Sequence, residues 1–322
     1  MKKVIGTGVM GCAAIADRSF IPAIKAMPEH FRLVAVASRD PRKAGDFAER
    51  HGCEGHAGYE KLLARDDIDA LYIPLPTGLH KEWVIRALEA GKHVYAEKAF
   101  AINHRDASMM VDVATRKGLA LMEGYMFQYH AQQGFVKQLL ADGAIGELRH
   151  FEAAFGFPLL PPGNFRYDME IGGGVLTDAA GYPVRAAFFW LGDNLQLSGA
   201  SLFRDQSSGT EMFGSAYLSG PGGVGASIAF GFGSFYQCRV TFWGSSGKLS
   251  MMRAFTPRPD DQPLLILETP AGTTSLNAPA DNHFVGALKA FHDAISGTGR
   301  ERLYTDILQQ SKTIEMIRKI SG

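Results

Sequence analysis

The chain has few cysteines, no excess charge of either sign and no uninterrupted apolar run, and each shortage excludes a class of protein. Only three of its 322 residues are cysteines, with no C-x-x-C pair, so a disulfide framework is excluded and a reducing, cytoplasmic setting is expected. The 33 basic and 33 acidic side chains cancel, so no overall field attracts nucleic acid or an anionic membrane. Glycines and Pro221 interrupt the longest uncharged stretch, residues 212–238, which argues against a membrane-spanning helix.

Motifs for metal-dependent and hydrolytic chemistry are also missing. The ten histidines and the carboxylates show neither an H-E-x-x-H motif nor clustered ligand spacing, and no G-x-S-x-G motif is present. We therefore expect neither a metal site nor a serine hydrolase. The basic, then apolar, N-terminus resembles a secretory signal, but its removal would delete the first predicted strand. We expect it to belong to the folded chain.

Short β-branched runs alternate with helical patterns through the first 122 residues. Strands that are apolar on both faces and are joined by helices indicate a parallel sheet covered on both sides. We therefore predict an α/β domain over residues 1–122, a Rossmann-type doubly wound sheet. The predicted strands are 4–10, 33–37, 70–73, 94–96 and 119–123, and the predicted helices are 15–27, 41–51, 59–65, 82–90 and 105–117.

The rhythm changes after residue 123, where strands follow one another with few helices. This order predicts an α+β domain over residues 123–322 with a large, mostly antiparallel open sheet, serving substrate binding and oligomerisation. Glycines and aromatics weaken the alternation in several strands, so we expect one sheet face to meet another protomer in a homodimer or homotetramer. A helix is predicted at 131–142 and strands at 147–157, 196–204, 211–218, 225–232, 237–242, 248–252 and 264–268.

Two glycine registers compete near the N-terminus, G-x-G-x-x-G from Gly6 and G-x-A-x-x-A from Gly11. Because a helical pattern begins at Ile15, the strand-to-helix turn must fall at about residues 11–14. Free backbone N–H groups and the helix dipole can hold a pyrophosphate there. We predict that Gly11 makes the tight turn, that Ala13 lets the phosphates approach and that Ala16 packs the helix on the sheet. The predicted cofactor-binding residues of this turn are Gly11, Cys12, Ala13, Ala14 and Ile15.

The end of the second predicted strand indicates which dinucleotide is bound. A carboxylate at this point would bind the ribose of NAD. The strand ends instead at Ser38 and Arg39, and Lys43 follows one helical turn later. A hydroxyl, a guanidinium and an ammonium suit a 2'-phosphate, so the pattern favours NADP. Asp40 leaves NAD possible, and a solvated loop with a helix N-cap is the plainer interpretation of the same residues.

Two further segments resemble the signature of the Gfo/Idh/MocA family, the glucose-fructose oxidoreductase and inositol 2-dehydrogenase group. They read P-T-G-L-H at 76–80 and A-G-K-H-V-Y-A-E-K-A at 90–99. Residues 122–127 and 172–183 look like later motifs of that family, so the resemblance covers nearly the whole chain. The turn at 11–16 and F-R-Y at 165–167 are similar to those of NDP-sugar 3-ketoreductases. Within the family, the chain therefore looks most like members that act on sugars and sugar nucleotides.

The resemblance implies an NADP-dependent oxidoreductase that transfers hydride between nicotinamide and a sugar or sugar-nucleotide carbonyl. Such a reaction builds negative charge on oxygen and requires a proton donor and a positive group. Tyr182 is the predicted proton donor and Lys98 the predicted positive group. Asp178 is a secondary catalytic candidate that shares a helix face with Tyr182 if residues 175–190 are helical. The plainer interpretations are a solvated lysine, a buried core tyrosine and a structural carboxylate.

The same resemblance implies the remaining site residues. The further cofactor-binding candidates are Leu75, Pro76, Thr77, His80, Glu97, Lys98 and Met126, and the candidates for the sugar or diphosphate site are His130, Arg166 and Tyr167.

The chain departs from the family pattern at one position of the signature. Ala99 stands where proline normally follows the lysine, which relaxes the extended geometry that proline would impose on Lys98. This departure therefore affects the direction in which the Lys98 side chain points.

Two alternatives stay open at this stage. One is an aldose or dihydrodiol dehydrogenase, and the other is a catalytically silent regulator of the same fold that senses NADP or a sugar. The presence of both Lys98 and Tyr182 favours an enzyme.

Overall fold

The computed structural model describes residues 4–321 and divides the chain into two compact units. The first unit comprises the chain up to Gly124 together with Phe284–Ser311. The second comprises Tyr125–His283 together with the chain from Lys312 onward. Residues 284–311 thus group with the first unit, although the predicted second domain, 123–322, includes them. The division at 122/123 stays a prediction.

Six parallel strands form the sheet of the first unit, in the order β3-β2-β1-β4-β5-β6. The central strand β1 pairs with β2 on one side and β4 on the other. The strand order reverses between β1 and β4. In open α/β sheets, ligands bind at such a point, in the crevice beyond the carboxyl ends of the strands. The strands are β1 (Ile5–Met10), β2 (Phe31–Ser38), β3 (Glu54–Ala57), β4 (Ala70–Ile73), β5 (His93–Ala96) and β6 (Leu121–Glu123).

Helices cover this sheet on both faces, and every residue of β1 and β4 is buried. This is why these strands read as continuous apolar runs. The predicted N-terminal α/β class is confirmed. A π-helical turn at Ala16–Phe20 leads into α1 (Ile21–Lys25), followed by α2 (Pro41–His51), α3 (Glu60–Leu63), α4 (His80–Glu89) and α5 (His104–Lys117).

Eight strands form the sheet of the second unit, in the order β14-β13-β12-β11-β7-β10-β9-β8. Only the β7 and β10 pair is parallel among these strands, so the predicted mostly antiparallel sheet is confirmed. The strands are β7 (Leu148–Phe157), β8 (Gln196–Arg204), β9 (Glu211–Ser219), β10 (Gly225–Phe232), β11 (Gln237–Gly244), β12 (Lys248–Met251), β13 (Leu264–Thr269) and β14 (Gly272–Asn277).

One face of the second sheet is buried beneath helix α8, where Trp190 packs edge-on against Phe242. The other face carries half-exposed aromatics among small residues, including Phe203 stacked on Phe213 at 4.7 Å. The remaining helices are α6 (Ala131–Ala141), α7 (Val175–Asp178), α8 (Gly181–Leu191), α9 (His283–Ile295) and α10 (Arg300–Ile320). Within residues 4–321, no helix is both long and apolar enough to cross a membrane.

Residues 175–190 do not form one continuous helix, so the condition for Asp178 and Tyr182 to share a helix face is not met. Helix α7 ends at Asp178, and α8 begins at Gly181 after Ala179 and Ala180. Pro183 provides the physical reason, because proline lacks the N–H that would bond to the carbonyl of Ala179 and its ring crowds that carbonyl. Asp178 and Tyr182 therefore belong to different helices.

Candidate functional site

The strand-to-helix turn lies where the second glycine register predicts it. Strand β1 ends at Met10, and Gly11 has a φ of +116°, a region that strongly favours glycine. A side chain at Gly11 would also meet Leu75 Cδ2 at 2.8 Å. Gly6 and Gly8 lie inside β1. A turn of bare backbone leading directly into a helix is the arrangement that accepts a pyrophosphate.

The four residues after Gly11 differ in exposure. Ala14 is exposed, while Ala13 and Ile15 are partly exposed, so the small side chains leave the backbone of the turn accessible. Cys12 points inward, and burial raises the pKa of its thiol to about 11. The thiol is therefore neutral near pH 7 and fills space.

Asp40, the residue that left NAD possible, serves helix α2. Its carboxylate accepts hydrogen bonds from the backbone N–H groups of Arg42, at 2.9 Å, and Lys43, at 3.4 Å, which is an N-cap. The side chains of Arg39 and Lys43 are exposed, and among residues 4–321 neither makes an ion pair. Ser38 Oγ accepts from the Asp40 N–H at 3.2 Å. The end of β2 thus presents two exposed cations beside a hydroxyl, and Arg39 also lies within hydrogen-bonding reach of the Tyr59 hydroxyl.

His80 connects the loop after β4 to the loop after β5. Its imidazole is fully buried, with Nε2 2.8 Å from the Leu75 carbonyl oxygen and Nδ1 3.1 Å from the Phe100 carbonyl oxygen. Burial lowers the pKa of His80. The structure thus places this predicted cofactor residue in the interior, where it holds two loops together. Pro76 and Thr77 stay partly exposed on the first of these loops.

Lys98 lies on the second loop, two residues beyond the end of β5, and is partly exposed. The peptide bond between Lys98 and Ala99 is cis. The neighbouring Glu97 carboxylate accepts a hydrogen bond from the Tyr72 hydroxyl at 2.6 Å and one from the Lys98 N–H at 3.3 Å. Burial raises the pKa of Glu97, while Tyr72 and the charges of Lys98 and Arg18 lower it. The structure therefore brings an acidic and a basic side chain to the carboxyl edge of the parallel sheet.

Tyr182 lies at the start of α8 in the second unit, with 4% of its surface exposed. Its ring packs among other aromatic rings, at centroid distances of 4.6 Å from Phe155, 5.3 Å from Tyr125 and 5.5 Å from Phe255. The predicted cofactor residue Met126 is also buried. The aromatic cluster gives the tyrosine a fixed orientation.

Asp178 and Arg166 form an ion pair, with Arg166 Nε donating to Asp178 Oδ2 at 2.8 Å. The triple-glycine segment makes this contact possible, because a side chain at Gly173 would meet the Arg166 carbonyl oxygen at 2.7 Å. The Gly174 N–H donates to the same carbonyl at 2.8 Å. Asp178 therefore orients Arg166, a role that the spacing to Tyr182 did not suggest.

The two other predicted substrate residues make local structural contacts. The Tyr167 hydroxyl donates to the Leu160 carbonyl at 3.2 Å and accepts from the Leu160 N–H at 2.7 Å. His130 is buried and caps α6, its Nδ1 accepting from the Gln132 N–H at 3.0 Å. Each side chain fixes the shape of its own loop or helix end.

Sequence reasoning missed Tyr72 and Glu123 as site residues. Tyr72 holds Glu97, and Glu123 Oε1 accepts from the Phe100 N–H at 3.0 Å. The available signal was a polar atom on an otherwise apolar parallel strand. Within the described part of the chain, no three or more His, Cys, Asp or Glu side chains are grouped to hold a metal ion.

A parallel sheet of this order, with a glycine turn after its central strand, defines a dinucleotide-binding domain. The model of the oxidoreductase family with NAD-binding Rossmann fold matches residues 4–125, and the GFO/IDH/MocA C-terminal domain matches residues 135–250. A dTDP-3,4-didehydro-2,6-dideoxy-alpha-D-glucose 3-reductase of Saccharopolyspora spinosa is 44% identical over 300 residues, 93% of this chain and 90% of that protein. The chain belongs to the Gfo/Idh/MocA family of oxidoreductases.

Solved structures show the same likeness. KijD10, a 3-ketoreductase from Actinomadura kijaniata in complex with NADP and TDP-benzene, matches with a TM-score of 0.94 and 40% identity, over 99% of this chain and 98% of that one. Solved variants of KijD10 replace a tyrosine by phenylalanine, or a lysine by alanine or glutamate. In the numbering of KijD10, these two residues stand four positions beyond Tyr182 and Lys98 of this chain, respectively.

Proposed function

We propose that this protein is an NADP-dependent reductase of a keto group on a nucleotide-linked sugar, with cytoplasmic location. The observation that carries the proposal is that the lysine and the tyrosine replaced in KijD10 have residue numbers four higher than Lys98 and Tyr182, so one offset relates both pairs. A lysine and a tyrosine related by the same offset, in chains that cover 98% or more of each other, support a shared chemistry.

The residues of the first unit fit the cofactor. The Gly11 turn offers bare backbone to a pyrophosphate, and Ser38, Arg39 and Lys43 offer a hydroxyl and two cations to a 2'-phosphate. With Asp40 engaged as the cap of α2, its charge is partly neutralised by the helix N-terminus. The bound dinucleotide supplies the hydride.

We assign the proton to Tyr182 and the stabilising charge to Lys98. A positioned proton donor contributes about 10²- to 10⁴-fold in rate, and the packing of Tyr182 restricts its hydroxyl to few orientations. The Lys98 ammonium stabilises the alkoxide that forms on the substrate oxygen, an interaction that is strongest in the transition state.

Arg166 is the proposed ligand of an anionic part of the substrate. Asp178 engages its Nε and so directs the rest of the guanidinium, which is partly exposed. A guanidinium held in this way binds phosphate oxygens in a fixed geometry. Tyr167 and His130 support this region by holding the 160–167 segment and the start of α6.

The test is an assay of the purified protein with NADPH and a dTDP-3-keto-deoxysugar, compared with free aldoses and a dihydrodiol in the presence of NADP. We expect stereospecific loss of deuterium from only one of the two C4-labelled NADPH epimers, and only with the ketosugar nucleotide. Oxidation of aldose or dihydrodiol instead would identify the dehydrogenase alternative. NADPH binding without turnover of any substrate would identify a regulator.

We also propose that the outer face of the eight-stranded sheet joins two copies of the chain. This face carries a groove of about 450 Å³ floored by small residues of β7 to β10 and flanked by Tyr217, Glu152 and Arg239. Within residues 4–321, neither Glu152 nor Arg239 makes an ion pair. A twofold axis through this face allows Glu152 of one copy to form an ion pair with Arg239 of the other. Exposed aromatics around a groove are typical of such an interface.

The oligomeric state tests this second part. Ser215→Arg places a long charged side chain on the groove floor, and we expect sedimentation to show dissociation into monomers. Thr274→Arg, at the exposed edge strand β14, is the control and should leave the oligomer intact. A wild-type protein that sediments as a monomer at micromolar concentration would contradict the proposal.

A further inference from the structure

Tyr72 occupies an unusual place for a hydroxyl group. It lies in the middle of the parallel sheet of the first unit, on β4, and is fully buried. Its ring stacks on Phe20 with centroids 3.5 Å apart and planes inclined by 5°, and Tyr95 packs edge-on against both rings. Because Phe20 ends the π-helical turn behind the nucleotide-binding loop, the Tyr72 ring is clamped in one orientation.

The clamped hydroxyl donates a hydrogen bond toward the loop that follows β5. Tyr72 donates to Glu97 Oε1 at 2.6 Å, while Glu97 Oε2 accepts from the Lys98 N–H at 3.3 Å. Gly124 leaves room for the carboxylate, since a side chain there would lie 3.3 Å from Glu97 Oε1. The carboxylate is thus held at both oxygens.

Glu97 is partly buried, and a carboxylate in such a place stays charged only if donors and positive charges replace the water that it has lost. The groups that do so for Glu97 are the Tyr72 hydroxyl from β4, the Lys98 backbone and side chain from its own loop, and Arg18 from the π-helical turn. The hydrogen bond from Tyr72, at 2.6 Å, is shorter than the one from the Lys98 N–H, at 3.3 Å.

We propose that Tyr72 is a positioning residue for the hydride transfer: its hydroxyl keeps the Glu97 carboxylate charged and fixed beside Lys98. This inference rests on the proposed function, because Lys98 is the residue whose surroundings it controls. Tyr72 touches neither substrate nor cofactor in this proposal. It acts through Glu97.

Tyr72→Phe removes a single oxygen and leaves the ring that stacks on Phe20. Losing a donor to the charged form raises the pKa of Glu97, and a hydrogen bond to a charged group corresponds to a change of about one pH unit or more. Glu97 is then protonated at a pH where the wild type is still charged. The acid limb of the pH profile of kcat should therefore move to higher pH, with little change in kcat at alkaline pH.

Infrared difference titration of the protonated carboxyl band measures Glu97 directly, with Glu97→Gln to assign the band. We expect its midpoint to rise by about one pH unit in Tyr72→Phe. The matched control is Tyr304→Phe, which also removes a buried tyrosine hydroxyl bonded within the first unit, to the Leu119 carbonyl. It should cost similar stability and leave the midpoint unchanged. An unmoved midpoint in Tyr72→Phe would overturn the inference.

The activity profile provides the second readout. We expect kcat of Tyr72→Phe to fall about tenfold on the acid limb and to stay within about twofold at pH 9, with KM for the ketosugar nucleotide nearly constant. A uniform loss at all pH values would mean a merely structural role and would overturn the inference. If wild-type protein turns over no substrate, the proposed function fails, and the infrared titration still decides whether Tyr72 controls Glu97.

Discussion

The two sheets of this protein solve different problems. The six-stranded parallel sheet is covered on both faces, and its predicted cofactor residues lie at or just beyond the carboxyl ends of the strands, as Gly11, Ser38 and Glu97 do. The eight-stranded sheet has one covered face and one exposed face. Its site candidates, Tyr182 and Arg166, lie on a helix and a loop outside the strands.

The difference shows how each unit fixes the side chains of the candidate site. In the first unit, backbone groups and buried polar side chains hold the loops, as His80 and Glu123 do. In the second, aromatic packing and an ion pair do the same work for Tyr182 and Arg166. We therefore expect changes in the first unit to show mainly in charge and cofactor effects, and changes in the second to show in proton transfer and substrate binding.

The largest effect is expected at the loop after β5. Lys98→Met should reduce kcat by about 10³-fold or more, because the ammonium stabilises charge that develops only in the transition state. NADPH affinity, measured by fluorescence titration, should stay within about tenfold, since the turn and the basic residues are intact. Persistent turnover would show that the first unit contributes binding alone, and the comparison between the units would fail.

The next effect belongs to the second unit. Tyr182→Phe should lower kcat about 10²-fold through loss of the proton donor, with single-turnover rates as the measurement. The control is Tyr125→Phe in the same aromatic cluster, which should change the rate by less than about tenfold. Equal losses in both variants would mean that packing, rather than the hydroxyl, sets the rate.

Cofactor selection is expected to depend on the first unit alone. The double change Arg39→Ala and Lys43→Ala should weaken NADPH binding by about tenfold to 100-fold and leave NADH binding within about twofold, because only NADPH carries the 2'-phosphate. The control is Arg42→Ala, which removes another exposed cation from the same helix start. A similar loss for NADH and NADPH would contradict the assignment of the phosphate site.

The smallest effect is expected on the free energy of unfolding at acid pH, in both units. Burial lowers the pKa of His93 to about 4 and that of His283 to about 3, against 6.5 for an ordinary histidine. As the pH falls below 6.5, these two histidines become protonated in the unfolded chain but stay neutral in the folded chain. Stability is therefore complete above pH 6.5 and falls toward pH 4, by up to about 1.4 kcal/mol per pH unit for each histidine.

Urea unfolding across this pH range tests the two histidines separately. In the structure, the Ala120 N–H donates to His93 Nδ1 at 2.9 Å. His93→Asn retains an acceptor for this N–H and should make the free energy of unfolding of the first unit less dependent on pH. His283→Asn should do so for the second. Unchanged slopes in both variants would show that other groups control the acid limb.

Much of the first unit could be predicted from sequence because its signals are local. The start of a helical pattern at Ile15 selected between the glycine registers, and the structure confirms a turn at Gly11. The strands missing from the prediction, β3 and β14, are short, polar strands at the sheet edges. They lack an apolar pattern because little of their surface is buried.

The less predictable parts depend on contacts distant in sequence. The bond from Tyr72 to Glu97 spans 25 residues, and the pair of Arg166 with Asp178 forms only after the glycine segment folds back. No spacing rule includes either contact. The break before α8, by contrast, follows from Pro183 alone and was available from the sequence.

The capping role of Asp40 has a consequence for cofactor engineering. Freeing this carboxylate to bind the hydroxyls of NADH would strip α2 of its N-cap and lower stability by about 1 kcal/mol. A design that switches this protein to NADH should therefore introduce its new carboxylate at Ser38 and retain Asp40.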